Sequence, residues 1–111
     1  MAYLGEFEQL VLLAILQCAQ SDDGAYTVPI GRLISEKTGR AVARGALHTS
    51  LDRLQQKGLV ASKLGEPLAI RGGRSRRYFT VTKEGVASLR DARAAVVNMS
   101  AGLESVLGRR R

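Results

Sequence analysis

Residues 38–60 read TGRAVARGALHTSLDRLQQKGLV, and the fold of the whole chain turns on this stretch. Gly39 closes a short helical pattern and suits the C′ position, where a left-handed residue ends a helix. A second helix begins near Ala43 or Arg44. Its apolar residues Leu47, Leu51 and Leu54 recur at i, i+4 and i+7 and so form one inward face. The opposite face carries Arg44, His48, Thr49 and Asp52, with Arg53 beside it. Gly58 ends this helix, and Leu59-Val60 open a strand. A helix, a tight turn and a second helix with a polar, Arg-bearing outer face make the pattern of a DNA-reading helix-turn-helix.

The same stretch resembles the PadR family of winged-helix transcriptional regulators. The family segment is like Gly-(Thr/Ala)-Leu-Tyr-x-x-Leu-x-Arg-Leu-x-x-x-Gly-Leu. This chain has Gly45-Ala46-Leu47-His48-Thr49-Ser50-Leu51-Asp52-Arg53-Leu54-Gln55-Gln56-Lys57-Gly58-Leu59. His48 stands where the family usually has Tyr. Ala43 stands where a Ser usually caps the helix, which predicts a weaker N-cap. Leu4-Gly5-Glu6-Phe7-Glu8 before an aliphatic run and Thr82-Lys83-Glu84-Gly85 near the last helix are also family-like. The resemblance covers nearly the whole chain. It implies a winged-helix fold and repression as the regulatory outcome.

At 111 residues the chain is one domain with a modest core. Its hydrophobic content of 45% is too high for disorder by composition. From Arg32 to Lys83 there are 12 basic and 3 acidic residues, a net of +9, while the remainder carries 5 basic and 7 acidic, a net of −2. A merely solvated surface intersperses its signs; the flanks do so and the middle does not. The basic excess therefore coincides with the helix-turn-helix and favours a polyanionic partner.

Working outward toward the N-terminus, a helix is expected from about Gly5 to Gln20. Its second half is apolar on almost every side, which predicts burial all round, at the centre of the domain or against a partner subunit. Ser21-Asp22-Asp23-Gly24 is turn chemistry. Ala25 to Val28 reads as a short extended piece, and Pro29 suits the first turn of a helix whose Ile30, Leu33 and Ile34 face inward. Tyr26 reads as a core or hinge residue. Cys18 is the one cysteine, so neither a disulfide within the chain nor a multi-cysteine metal site can form, and it reads as a small buried side chain. The longest apolar run, Leu10 to Leu16, is too short to span a bilayer. With no basic n-region ahead of Glu6 and Glu8, there is no signal peptide to read, and a cytoplasmic location is expected.

Toward the C-terminus, Leu59 to Leu64 alternates as a strand, and Glu66-Pro67 is expected to break it. Arg77 to Thr82 reads as a second strand. Between them Ile70-Arg71-Gly72-Gly73-Arg74-Ser75-Arg76 has two glycines at a tip and arginines around it. That describes a wing loop whose guanidinium forks match phosphate or a narrow minor groove. A single Arg-Gly-Gly copy between two strands argues against a disordered RNA-binding repeat. Thr82 caps a last helix expected to run from Lys83 to about Leu107, roughly 35 Å at 1.5 Å per residue. Leu89, Ala92, Val96, Met99, Leu103 and Val106 step by 3 and 4 and form a heptad seam. Arg109-Arg110-Arg111 reads as a frayed tail.

No catalytic constellation is present. His48 is the only histidine, so no His cluster or Cys/His metal pair exists, and no Gly-x-Ser-x-Gly elbow occurs. Gly72-Gly73 does not open a helix and is no dinucleotide fingerprint. No cofactor or metal is expected, and the chain is not read as an enzyme.

The fold expected is mainly α with a small β-hairpin wing: a winged helix-turn-helix over 1–82 and a C-terminal dimerisation helix with a basic tail over 83–111. Arg40, Arg44, His48, Thr49, Arg53, Arg71, Arg74 and Arg76 are the expected contacts to double-stranded DNA. Of these, Arg53 has Asp52 and Glu36 as alternative partners, and His48 reads equally as a surface residue. Leu10, Leu13, Leu89, Val96, Met99, Leu103 and Val106 are the expected homodimer interface, the seam meeting the first helix of a partner. Any small-molecule effector would have to use that interface, where no Trp is available for stacking. A winged-helix protein-interaction adaptor is the alternative, but an adaptor has no need of the +9 middle segment. An RNA-binding winged helix is a third reading, with the same charge.

Overall fold

A computed structural model describes residues 3–67 and 75–108. In chain order it has α1 (Glu6–Cys18), α2 (Thr27–Thr38), α3 (Arg44–Gln56), β1 (Val60–Pro67), β2 (Ser75–Val81), α4 (Lys83–Ser100) and α5 (Glu104–Leu107). It is mainly helical, with one two-stranded antiparallel hairpin, as the sequence implies.

Helix α1 starts because Gly5 is extended and the Glu8 carboxylate accepts a hydrogen bond from the Gly5 N–H at 3.1 Å. Glu6 and Glu8 also set negative charge at the positive end of the helix dipole. The helix packs against α2, α3, β2 and α4 and so occupies the centre of the domain. Val11, Leu12, Ala14, Ile15 and Cys18 are buried, whereas Leu10, Leu13 and Leu16 are only partly so. Burial of α1 on every side is therefore not observed within one chain. Burial also removes water from the Cys18 thiol and raises its pKa, which keeps it protonated near neutral pH.

Thr27 and Val28 belong to α2 rather than to an extended piece, and Tyr26, the N-cap, is extended. Ala25 nevertheless serves the hairpin as a strand would, because its carbonyl accepts from the Phe79 N–H at 2.8 Å. Gly39 ends α2 with φ 74°, the left-handed conformation expected of it. Ile30 and Ile34 from α2 meet Leu47, Leu51 and Leu54 from α3, together with Leu59, Val60, Phe79 and Leu89, in one core.

The hairpin pairs Val60 with Val81, Ser62 with Phe79 and Leu64 with Arg77, then shifts register so that Pro67 faces Ser75. The expected break at Glu66-Pro67 does not occur. An irregularity between Leu64 and Pro67 carries the proline instead, which is where a strand tolerates a residue without an N–H.

Thr82 caps α4 as expected, accepting from the Gly85 N–H at 3.1 Å, and its hydroxyl also donates to the Gly58 carbonyl at 2.8 Å. The last helix does not reach Leu107 unbroken. It stops at Ser100, Ala101 turns to ψ 132°, Gly102 takes φ 88°, and α5 follows. The heptad spacing continues through a glycine, the residue that most readily leaves helical conformation. Leu103, Leu107, Val96 and Met99 border one open apolar groove across the break, while Val106 is 77% exposed outside it. Leu89, expected at the interface, is only 5% exposed and belongs to the chain's own core. Among the described residues no helix is long and apolar enough to cross a membrane.

Candidate nucleic-acid interface

Helix α3 is placed by its inner face. Leu47, Leu51 and Leu54 are almost wholly enclosed, which turns Arg44, His48, Thr49, Asp52 and Arg53 outward into solvent. Among the described residues these five side chains make no hydrogen bond or ion pair with one another or with any other side chain or backbone group. In particular, Arg53 pairs with neither Asp52 nor Glu36. An outer face of donors and acceptors without internal partners can hydrogen-bond a ligand without first breaking a contact.

The N-terminus of α3 adds to this. Ala43 is its N-cap, extended at φ −71° and ψ 136°, and supplies no side-chain oxygen. The first N–H groups of the helix are thus uncapped beside Arg44. Arg44 borders a shallow groove against α2, lined by Thr27, Arg32 and Ser35. His48, by contrast, borders a larger groove of about 610 Å³ between α3 and β2, shared with Tyr26, Asp52, Gln55, Arg76 and Arg77. Thr49 and Arg53 lie on the exposed face outside both grooves.

Arg40 lies in the turn between α2 and α3. Its guanidinium pairs with the Glu6 carboxylate of α1, and its backbone N–H donates to Thr38 Oγ1 at 3.2 Å. An exposed pair of this kind is held by about 0–1 kcal/mol. Arg71 and Arg74 lie outside the described residues. Arg76 is described, and its guanidinium carbon sits 4.3 Å from the centroid of the Tyr26 ring.

Ser62 ties α3 to β1 and β1 to β2. The Ser62 hydroxyl accepts from Gln55 Nε2 at 3.1 Å and from Arg77 Nη1 at 2.9 Å. At the same C-terminal end of α3, Lys57 Nζ donates to both oxygens of the Glu8 carboxylate and to the Tyr3 carbonyl. Tyr26, Gln55 and Arg77 were not singled out as site residues by the sequence. Only Arg77, beside Arg76 in a basic strand, carried a signal. The pairing of Tyr26 with Arg76 joins residues far apart in the chain and has no local pattern. Among the described residues no group of three or more His, Cys, Asp or Glu side chains could hold a metal ion.

A family model described as the transcriptional regulator PadR-like family matches residues 13–91. Among curated proteins none matches. The fold is similar to that of a PadR-like transcriptional regulator from Bacillus cereus strain ATCC 14579, with TM-score 0.69 and 20% identity over 94% of this chain and 93% of that one. It is also similar to a PadR family transcriptional regulator from Eggerthella lenta DSM 2243, with TM-score 0.67 and 24% identity over 95% and 88% of the two chains. A PadR family regulator from Clostridium difficile R20291 gives TM-score 0.67 and 19% identity over 92% and 99%.

Proposed function

The chain belongs to the PadR-like family of transcriptional regulators, and from that premise we propose that it binds double-stranded DNA sequence-specifically, as a homodimeric repressor on a pseudo-palindromic operator. The observation that carries this reading is the outer face of α3. Its leucines are enclosed, and Arg44, His48, Thr49 and Arg53 stand exposed. In a helix-turn-helix the first residues of the second helix reach base edges in the major groove. Arg44 holds that position, and its fork suits the two acceptors of a guanine.

The basic groove between α3 and β2 takes the adjoining backbone, through Arg76 and His48. Arg40, once released from Glu6, extends the same contact, and Arg71 and Arg74 are proposed as DNA contacts from their sequence alone. Residues 1–82 form the reading unit, and the arm from Lys83 onward brings two such units together. Repression follows from the family resemblance.

Selection of bound sites from random duplex DNA, followed by titration at several salt concentrations, tests the reading. The expected result is one preferred, two-fold-related sequence whose half-sites lie about one helical turn apart. Its affinity should fall linearly in log–log form with salt, at about 0.9 per phosphate neutralised. No duplex binding by the wild type at low salt would overturn the proposal and leave the protein-interaction adaptor in its place.

A further inference from the structure

We propose that Tyr26 is a positioning residue: it holds the Arg76 guanidinium at the root of the wing, ready for a phosphate of bound duplex. The proposal rests on the DNA-binding reading above and adds to it a residue that does not itself touch DNA. The guanidinium carbon of Arg76 lies 4.3 Å from the centroid of the Tyr26 ring, well inside the range of a cation–π contact. The Tyr26 ring is itself held. It meets Tyr78 edge-on, with centroids 5.8 Å apart and planes at 71°.

Tyr78 in turn is confined by two glycines. A Cβ at Gly65 would fall 2.6 Å from one edge of the Tyr78 ring, and a Cβ at Gly24 would fall 3.0 Å from the other. Beside them the Phe79 N–H donates to the Ala25 carbonyl at 2.8 Å. Residues 24–26, which lead into α2, are thereby fastened to β2. The stack carries this rigidity from the helix-turn-helix to an arginine of the wing root.

Stacking occupies the flat face of a guanidinium and leaves its in-plane N–H donors available. Among the described residues the Arg76 side chain makes no hydrogen bond or ion pair, and Arg76 lines the groove that His48 and Gln55 also line. An unstacked arginine at this place samples many rotamers and loses that freedom when it binds a phosphate. The ring removes much of this loss beforehand. Tyr26 therefore strengthens binding only through Arg76.

A double-mutant cycle separates this role from a merely structural one. Tyr26→Leu, Arg76→Ala and the double variant are titrated against the selected duplex and a scrambled one at three salt concentrations, with thermal unfolding measured alongside. Tyr26→Leu should weaken both duplexes by about three- to tenfold, because a phosphate contact carries no sequence. Arg76→Ala should also weaken both and lower the salt slope by about one unit. The double variant should bind no worse than Arg76→Ala alone. Tyr26→Phe, which keeps the ring, should bind like the wild type.

Equal losses from Tyr26→Leu with and without Arg76 would overturn the proposal while leaving the DNA-binding reading intact. Absence of wild-type binding would remove both. A check needing no variant is the proton spectrum of the wild type. Arg76 side-chain protons should be shielded by the ring relative to those of Arg77, and unshielded Arg76 protons would likewise sink the idea.

Discussion

At the scale of the residue, each exposed side chain of α3 stands on a buried one. Because Leu47 fixes the rotation of the helix, Arg44 is presented at its first turn with no side-chain partner among the described residues. Arg44→Ala should cost roughly 1–3 kcal/mol on the selected duplex and much less on a scrambled one, since a bidentate contact discriminates between bases. Equal losses on both would move Arg44 to the backbone contacts and leave base reading to His48 and Thr49. Its neighbour Ala43 sits at the N-cap without an acceptor, as the sequence predicts. Ala43→Ser should therefore stabilise the protein by roughly 0.5–2 kcal/mol in thermal unfolding; an unchanged or lowered midpoint would mean that the added hydroxyl does not reach the helix N–H groups. Cys18 shows the opposite case, a side chain whose burial sets its chemistry. Its raised pKa means that the folded state favours the protonated thiol. The associated stability is present below the ordinary thiol pKa and is lost as pH rises through the higher folded value. At pH 8 a disulfide reagent such as DTNB should react slowly with the native protein and at once in denaturant; rapid native reaction would contradict the burial. These residue-level features were legible because each depends on helical spacing alone. The Tyr26–Arg76 stack was not, since it depends on how the hairpin docks on the start of α2.

At the scale of the element, the sequence was most informative where a helix or strand has to bury a face. The three leucines of α3, the Gly39 terminus and the Thr82 cap all stand as read. It was least informative about ends. The hairpin runs past Glu66 because a local irregularity accommodates Pro67, and α4 stops at Ser100 because Gly102 adopts φ 88°. Neither event interrupts the apolar spacing, so spacing could not reveal it. Glycine itself has two opposite meanings in two of the helices. At Gly85, in the first turn of α4, a Cβ would fall 2.2 Å from the Leu59 carbonyl oxygen and 2.6 Å from Val81 Cγ1. The first of these neighbours is backbone and cannot move aside without shifting the strand. Gly85→Ala should destabilise the fold by about 1–3 kcal/mol or more. At Gly45, in the first turn of α3, a Cβ meets nothing within 4 Å. Gly45→Ala should be neutral or stabilise by up to about 1 kcal/mol, because alanine loses less backbone freedom in a helix. Chemical denaturation of the two variants side by side checks the pair, and a destabilised Gly45→Ala would show that the open space at α3 is already occupied.

At the scale of the whole molecule, one dimension stands out. The radius of gyration is 15.8 Å and the longest extent 55 Å, whereas a compact chain of 111 residues has a radius near 13 Å. The end of α4 contributes to this elongation. Beyond Ala92 the helix leaves the body, and Val96, Val97 and Met99 are 62%, 60% and 81% exposed. Leu103 and Leu107 join Val96 and Met99 around one apolar groove. Contiguous apolar surface of this kind marks an interaction site in a folded protein. The proposed homodimer covers it with a second copy, and two reading units then match the two-fold symmetry of a pseudo-palindromic site. The expected seam divides here into two parts with different consequences. Leu89 closes the chain's own core, so Leu89→Ala should lower stability by about 2–5 kcal/mol and leave the oligomeric mass unchanged. Val96 lies on the arm, so Val96→Asp should place an uncompensated charge in the interface and separate the subunits. Light scattering should give twice 12.0 kDa for the wild type and for Leu89→Ala where folded, and the single mass for Val96→Asp. The separated variant should keep a weak, salt-sensitive affinity for a half-site and lose the preference for the full site. A wild type that remains monomeric at micromolar concentration would end the dimer proposal, and the exposed face of α4 would then belong to a different partner.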